Sequence, residues 1–122
     1  MKPFKIRIIE KQGRKLVETF GDKTFIEGEA DILELIGLCG EFEADRLMIH
    51  GEILAESFFD LKSGRAGSII QKLVNYHVRT AAVLSQDQIR GRFADFVAET
   101  NRGNHFRVFF DRQKAESWLL SD

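Results

Sequence analysis

The chain opens with a segment in which apolar and polar residues alternate, as they do in a half-buried β-strand. The run FKIRII (4–9) alternates, EKQGRK (10–15) is polar, and LVETF (16–20) resumes strand character. Gly13, within the polar stretch, provides the backbone freedom that a tight turn requires. The pattern predicts an N-terminal β-hairpin. Because these residues are expected to form a strand, we do not expect them to be a signal peptide.

Beyond the hairpin, segments with helical spacing alternate with short apolar runs. The apolar runs are unbroken, which is typical of strands buried on both faces. The predicted helices cover residues 30–42, 68–78, 86–102 and 112–120, and the predicted strands cover residues 46–52, 80–85 and 105–110. The resulting order, ββαβαβαβα, predicts one α/β domain over residues 1–122, with a mixed sheet and helices packed on it.

Cap signals mark the ends of several helices. Ser85 and Gln88 match a capping box, which predicts that the third helix begins directly after Ser85. Gly103 is typical of the residue that ends such a helix. Asp111 is the predicted N-cap of the last helix, and His77 is expected to pack on the apolar face of the second.

Composition excludes several classes of protein. Hydrophobic residues make up 43% of the chain and eleven residues are Phe, which is enough for a packed core. The 18 basic and 19 acidic residues leave a net charge of -1, which argues against nucleic-acid binding. No apolar run approaches the roughly 20 residues of a membrane span. Cys39 is the one cysteine; we expect a buried, inert thiol and a cytoplasmic protein.

Three stretches carry a resemblance to a known family. The run ADRLMIHGEILAESFFDLKSGRAGSIIQKLVNYHVRTAAVLS is followed by GRFADFVAETNRGNHFRVF and by AESWL. Over about Ile32 to Leu119 the chain resembles a bacterial family, the domain of unknown function DUF4180, and this resemblance implies no activity. More distantly, the element order and the ending FRVFFDRQKAESWL are similar to the STAS and SpoIIAA-like folds. That likeness implies an interaction or regulatory module.

In open α/β sheets, ligands bind beyond the carboxyl ends of the parallel strands. The polar residues expected at that edge are His50, Glu52, Glu56, residues 60–68, Ser85, Asp111 and Arg112. Those expected at the opposite edge are His77, Arg79, Asn104 and His105.

His50, Glu52 and Ser63 are the candidates for acid–base or nucleophilic chemistry. In the alternative interpretation, hydrogen bonds satisfy His50 at the end of its strand. No metal or cofactor is predicted, because the sequence has no H-E-x-x-H motif and no paired cysteines.

The segment FDLKSGRAGSII (59–70) offers a possible anion site. It lacks the Walker A and Rossmann spacings, but a glycine-bearing turn before a helix exposes unpaired N–H groups. The candidate anion- or ligand-binding residues are Lys62, Ser63, Gly64, Arg65 and Gly67. The alternative is structural: Ser63 caps the helix, and Gly64 and Gly67 permit close packing of helix on sheet.

The STAS-like resemblance adds a switch hypothesis for the same loop. It implies that Ser63, which follows Asp60 and precedes Gly64, can be phosphorylated. The spacing departs from the STAS pattern, because Leu61 and Lys62 separate Asp60 from Ser63 where one residue is usual.

The sequence as a whole favours a non-enzymatic interaction or regulatory module with a protein partner or a homodimeric state. Phe58 and Phe59 would form a contact patch if they were exposed, and would fill the core if they were not. The alternative is a small-molecule or anion-binding protein, with weak hydrolytic activity from His50, Glu52, Ser63 and Arg65.

Overall fold

Five strands form a single sheet in the computed structural model, which describes residues 3–121. The strands are β1 (Lys5–Lys11), β2 (Arg14–Phe20), β3 (Arg46–His50), β4 (Arg79–Val83) and β5 (Phe106–Phe109). The α-helices are α1 (Glu29–Glu41), α2 (Glu56–Phe59), α3 (Arg65–Asn75), α4 (Arg92–Thr100) and α5 (Arg112–Leu119). Short 3₁₀ helices occupy Gly51–Ile53, Leu61–Ser63 and Gln86–Gln88.

The predicted α/β architecture is confirmed. The order ββαβαβαβα is present, and the one additional α-helix, α2, lies in the connection between β3 and α3. Residues 1, 2 and 122, which the predicted domain also includes, lie outside the described part of the chain.

The strands follow one another across the sheet in chain order. β1 pairs antiparallel with β2, and β2, β3, β4 and β5 are parallel neighbours. The prediction that residues 47–49 and 81–84 run side by side in the middle of the sheet is confirmed, because Met48 pairs with Ala81 and Ile49 with Ala82. Right-handed crossovers that always advance in the same direction place their helices on the same face.

The larger core accordingly lies between one sheet face and α1, α3 and α4. The residues of α1 that are buried there are Ile32, Leu35, Ile36 and Cys39, and Phe42, directly after the helix, is partly buried. Burial, with a smaller contribution from Asp45, raises the pKa of the Cys39 thiol to about 12. A thiol with that pKa is protonated at neutral pH, which agrees with the expected inert cysteine.

The other face carries α5, whose buried Ala115 and Leu119 pack on Leu16, Met48 and Ala81. As predicted, Asp111 caps this helix, because its side chain accepts a hydrogen bond from Gln113 N at 2.7 Å.

Arginines hold the other end of α5. Arg46 donates to the Leu119 carbonyl, and Arg14 donates to that of Leu120. Cations are favourable at this end of a helix, where the carbonyl groups point outward.

The hairpin turn is shorter than predicted. It consists of Gln12 and Gly13 alone, with φ of 55° and 76°. Two successive positive φ values define a turn whose twist matches that of the strands, so both strands extend to the turn.

The predicted start and end of the third helix are wrong. The capping box of Ser85 and Gln88 is present, but it caps a 3₁₀ turn, and α4 begins only at Arg92, after Gly91 turns the chain at φ 60°. The helix ends at Asn101 and not at Gly103, because the Asn101 side chain bonds both the N–H and the C=O of Val108.

The predicted packing of His77 is also wrong. α3 ends at Asn75, and His77 adopts a left-handed conformation with φ 58° and is exposed.

Within residues 3–121, no helix has the length and apolar character that a membrane crossing requires.

The structure generates a stability prediction at Phe58, whose side chain is 1% exposed and makes ring contacts with Phe59, Phe93 and Phe106. We expect Phe58→Ala to lower the free energy of unfolding by about 4 kcal/mol in urea denaturation, because it leaves a cavity in the core. Phe110→Ala is the control, since Phe110 is 58% exposed; its effect should stay within about 0.5 kcal/mol. Equal effects would contradict the described packing.

Candidate functional site

A buried carboxylate whose neighbours are two arginines and a histidine lies beside α5. Glu18 of β2 is 1% exposed, and Arg112 donates two hydrogen bonds to it, both at 2.8 Å. His50 Nε2 lies 2.6 Å from Glu18 Oε2, and Arg7 Nη1 donates to Oε1 at 3.2 Å. We call these four residues the Glu18 cluster.

Strand register explains why the four residues meet. Glu18 pairs with Arg7 on β1 and with Met48 on β3, so all three side chains lie on the α5 side of the sheet. His50 follows Met48 by two positions and therefore points to the same side. Arg112 is the first residue of α5 and reaches back over β2.

The cluster keeps Glu18 ionised. Burial alone would raise the pKa of this carboxyl, but hydrogen bonds and charge from Arg112 and His50 outweigh burial and lower the pKa to about 2. The same contact raises the pKa of Arg112 above its ordinary value. Because both carboxylate oxygens accept from Arg112, Glu18 is a poor proton acceptor and serves to position its neighbours.

A second carboxylate extends the network along α5. Glu116 accepts from Lys11 at 2.8 Å and lies 3.1 Å from Arg112. Its pKa is lowered, first by the hydrogen bond from Lys11, which outweighs burial. Lys11, Arg7 and Arg112 thus carry three fixed positive charges against two carboxylates, and protonation of His50 would add a fourth.

Part of this positive charge is accessible. The side chains of Arg7, Arg112 and His50 are 56%, 29% and 19% exposed. Phe20 lies against them: its ring centre is 5.0 Å from the Arg7 guanidinium carbon and 6.2 Å from the His50 ring centre. We call the exposed parts of Arg7, Phe20, His50 and Arg112 the basic surface.

Sequence reasoning placed His50 and Arg112 at one edge but did not single out Glu18 or Arg7. The sequence did contain a signal for Glu18. Leu16, Glu18 and Phe20 are two residues apart along β2 and so point to the same face of the sheet, where a carboxylate stands between two apolar side chains. A charged residue at such a position requires a partner, because burying an unpaired charge costs several kcal/mol.

The loop around Ser63 has a different character. The Ser63 hydroxyl donates to the Ser57 and Asp60 carbonyls, at 2.6 and 2.7 Å, and accepts from Arg65 N at 3.1 Å. The Asp60 carboxylate accepts from Lys62 N at 3.1 Å. These bonds fold the loop onto itself. The N-cap of α3 is Gly64 and no side chain bonds there as a cap, so the prediction that Ser63 caps this helix is wrong.

The two glycines of the loop do different things. Gly64 has φ 74°, a conformation that favours glycine, and it precedes α3. At both Gly64 and Gly67 the space that a Cβ would take is open to 4 Å, so the prediction that these glycines permit close packing of helix on sheet is wrong. The Arg65 guanidinium extends across to Gly28, the N-cap of α1. Arg65 therefore points toward α1, whereas Lys62 is exposed.

The sheet separates the predicted catalytic residues. His50 belongs to the α5 side, whereas the Ser63 loop packs with Phe58 and Leu61 against the larger core on the other side. A hydrogen bond between His50 and Ser63 is thus blocked by the sheet. Phe58 is core and Phe59 packs against it, so the two do not form an exposed patch.

A cleft of about 380 Å³ does open at the carboxyl edge. Glu52, Glu56, Asp60 and Asp87 line it together with Arg90. Ser63 and Lys62 are not among the lining residues, and four carboxylates would repel an anion.

At the opposite edge, His77, Arg79 and His105 line one depression, as expected of neighbours. In residues 3–121 no three His, Cys, Asp or Glu side chains are grouped as metal ligands.

The lowered pKa of Glu18 predicts a pH dependence of stability. The folded protein keeps this group ionised down to about pH 2, whereas the unfolded chain protonates it near 4.5. Its contribution is therefore present above pH 4.5 and is lost as the pH falls toward 2. At 1.36 kcal/mol per pKa unit the loss is roughly 3 kcal/mol. Glu18→Gln should have a flatter acid limb in urea titrations, and an unchanged limb would contradict the assignment.

Arg112 is expected to stabilise α5 against the sheet. Arg112→Met removes both 2.8 Å hydrogen bonds that a guanidinium donates to buried Glu18, and we expect a loss of about 2 kcal/mol in the free energy of unfolding at pH 7. Lys114→Met is the matched control, because Lys114 is exposed on the same helix; it should change stability by less than about 0.5 kcal/mol. If both variants unfold at the same urea concentration, the ion pair does not hold the helix.

Comparison with known proteins gives no match among curated proteins and none among solved structures. A family model does match, the one described as Domain of unknown function (DUF4180), over residues 11–119. This confirms the resemblance found in the sequence: the chain belongs to the DUF4180 family.

Proposed function

We propose that this chain is a STAS-like interaction or regulatory module that binds an acidic group of a partner protein through the basic surface. The observation that carries the proposal is the double hydrogen bond from Arg112 to buried Glu18, beside His50 and Arg7. This arrangement fixes cationic side chains at the surface and leaves an excess of positive charge there.

Arg112 and His50 are positioned before any partner arrives. Glu18 restrains both side chains, so binding an anion would cost less side-chain entropy than ordering mobile surface residues. A guanidinium group suits a carboxylate or phosphate because its N–H groups match two oxygens at once. Arg112 uses Nε and Nη2 for Glu18, so a partner would bind its Nη1 and the more exposed guanidinium of Arg7. The Phe20 ring supplies an apolar contact next to these charges.

Binding accounts for the site better than catalysis does. Glu18 has its oxygens occupied and a pKa near 2, so it accepts no proton at neutral pH. Ser63, the proposed nucleophile, is on the other side of the sheet and already donates its proton. The element order supports the STAS-like part of the proposal, because the crossover helices lie on one face and α5 lies on the other. The lone cysteine supports a cytoplasmic location.

Phosphorylation of Ser63 remains a proposed form of regulation. The hydroxyl proton now satisfies two carbonyls at 2.6 and 2.7 Å. Esterification removes that proton and leaves these carbonyls facing phosphate oxygens, so the loop before α3 would have to rearrange. Phosphate on Ser63 would thus act by changing the loop, and native mass spectrometry of purified protein tests whether it occurs.

The alternative, a small-molecule or anion-binding protein with weak hydrolytic activity, is separable from this proposal. A metabolite and nucleotide panel that raises the melting temperature would favour it. An interaction module should show no such shift with small molecules, and should respond to an acidic peptide.

The test of the proposed function is a titration of ¹⁵N-labelled protein with an oligoglutamate peptide. We expect amide shifts around Arg7, His50 and Arg112, and an affinity that falls roughly tenfold in Arg7→Gln, whose exposed side chain can be changed with little cost to folding. Arg92→Gln is the control of equal charge on the opposite side of the sheet. Equal weakening in both variants, or no binding by the wild type, would overturn the proposal.

A further inference from the structure

Strand β1 ends the sheet, and its outer edge is open within the described chain. The sheet order begins with β1, and no hydrogen bond between residues 3 and 121 reaches it from the outer side. Lys11 and Arg14 flank a two-residue turn and form a hydrogen-bonded pair. Hydrogen-bonded and non-hydrogen-bonded pairs alternate along an antiparallel ladder, so the backbone groups that bond to β2 are those of Lys11, Ile9, Arg7 and Lys5. The N–H and C=O groups of Ile6, Ile8 and Glu10 therefore point away from the sheet.

The two faces of this edge differ in chemistry. Lys5, Arg7 and Lys11 lie on the α5 side, where Arg7 and Lys11 contact Glu18 and Glu116 while remaining largely exposed. Ile6 and Ile8 lie on the other side, partly buried at the rim of the larger core. An additional strand would meet three cations and the partly buried Ile9 on one face, and Ile6, Ile8 and the exposed Glu10 on the other.

We propose that β1 receives an extended segment of a partner protein as a sixth strand, and that this segment alternates acidic with apolar residues. Its acidic side chains would lie beside Lys5, Arg7 and Lys11, and its apolar side chains would cover Ile6 and Ile8. Its backbone would pair with the outward groups of Ile6, Ile8 and Glu10. The inference rests on the proposed function, because Arg7 belongs to both surfaces, and it specifies the partner's shape and pattern.

Charge argues against a second copy of this chain as the occupant. An antiparallel pair of β1 strands centred on Ile8 would place Lys5 opposite Lys11 of the other copy at both ends. Like charges directly opposite one another destabilise a sheet, and lysines on edge strands discourage self-pairing in this way. The same lysines attract an acidic strand.

The experiment uses full-length ¹⁵N-labelled protein and capped peptides that match β1 in length, 7 residues. One peptide alternates Glu with Val, and its control alternates Lys with Val. We expect the Glu–Val peptide to bind and to slow hydrogen exchange at the amides of Ile6, Ile8 and Glu10. Electrostatic attraction alone would not protect these amides. Binding of both peptides alike, or binding without protection, would overturn the inference.

A proline at position 10 provides the decisive variant. Glu10→Pro removes an outward N–H that bonds to no other strand, and edge strands tolerate such a proline. Glu10→Ala makes the same change in charge and keeps the N–H. We expect Glu10→Pro to bind the Glu–Val peptide at least about tenfold more weakly than Glu10→Ala. The amide spectrum of β2 checks that the hairpin stays folded.

The outcomes separate this inference from the proposed function. If Arg7→Gln weakens oligoglutamate binding while Glu10→Pro and Glu10→Ala bind the Glu–Val peptide equally, the basic surface stands and strand addition is wrong. If Glu10→Pro binds the Glu–Val peptide more weakly than Glu10→Ala does, while Arg7→Gln binds oligoglutamate as the wild type does, strand addition stands. The proposed role of the basic surface then fails. Protection of Ile8 in concentrated protein without peptide would identify a second copy as the occupant and overturn the choice of partner.

Discussion

The one-way winding of the parallel strands determines the rest of this structure. Because β2, β3, β4 and β5 follow one another in a single direction, the three crossover helices α1, α3 and α4 share one face. Of the helices between residues 3 and 121, α5 alone packs on the second face, and it has eight residues and is about 12 Å long. Five strands spaced at roughly 4.8 Å make a wider surface than that helix covers. The hairpin side of the face stays open, and the Glu18 cluster and the β1 edge both lie there.

Electrostatics at the two ends of α5 hold this helix in place. Glu18 lies at its N-terminus and arginines donate to its last carbonyls, so both ends match the helix dipole. A buried ion pair is seldom more stabilising than apolar residues of the same volume. The contribution of Glu18 and Arg112 is therefore specificity: they set where α5 begins on the sheet, and the α5 position in turn determines how much of His50 and Arg7 remains exposed.

The sequence predicts the fold better than the site, for a physical reason. Period-two alternation in β1 and helical spacing in α1 are local properties, and both elements form where the pattern indicates. The helix α4 shows the limit of local signals, since the capping box at Ser85 is real but Gly91 delays the helix until Arg92. The Glu18 cluster combines β1, β2, β3 and α5, and its central pair, Glu18 and Arg112, is separated by 94 residues along the chain. No spacing rule brings such residues together.

The carboxyl-edge rule locates only part of this site: His50 ends β3 and Arg112 begins the helix that follows β5, but the anion site predicted in the Ser63 loop does not belong to it. Ligands in doubly wound sheets bind where the crossovers change direction and leave a crevice between strands. This sheet has no change of direction among β2, β3, β4 and β5, so its carboxyl edge has no such crevice. The cleft that does form there has an acidic lining from loops, and the Ser63 loop uses its polar groups to fold itself. In a singly wound sheet with one short helix on its second face, the accessible fixed charges lie on that face, and recognition is expected where α5 stops short of β1.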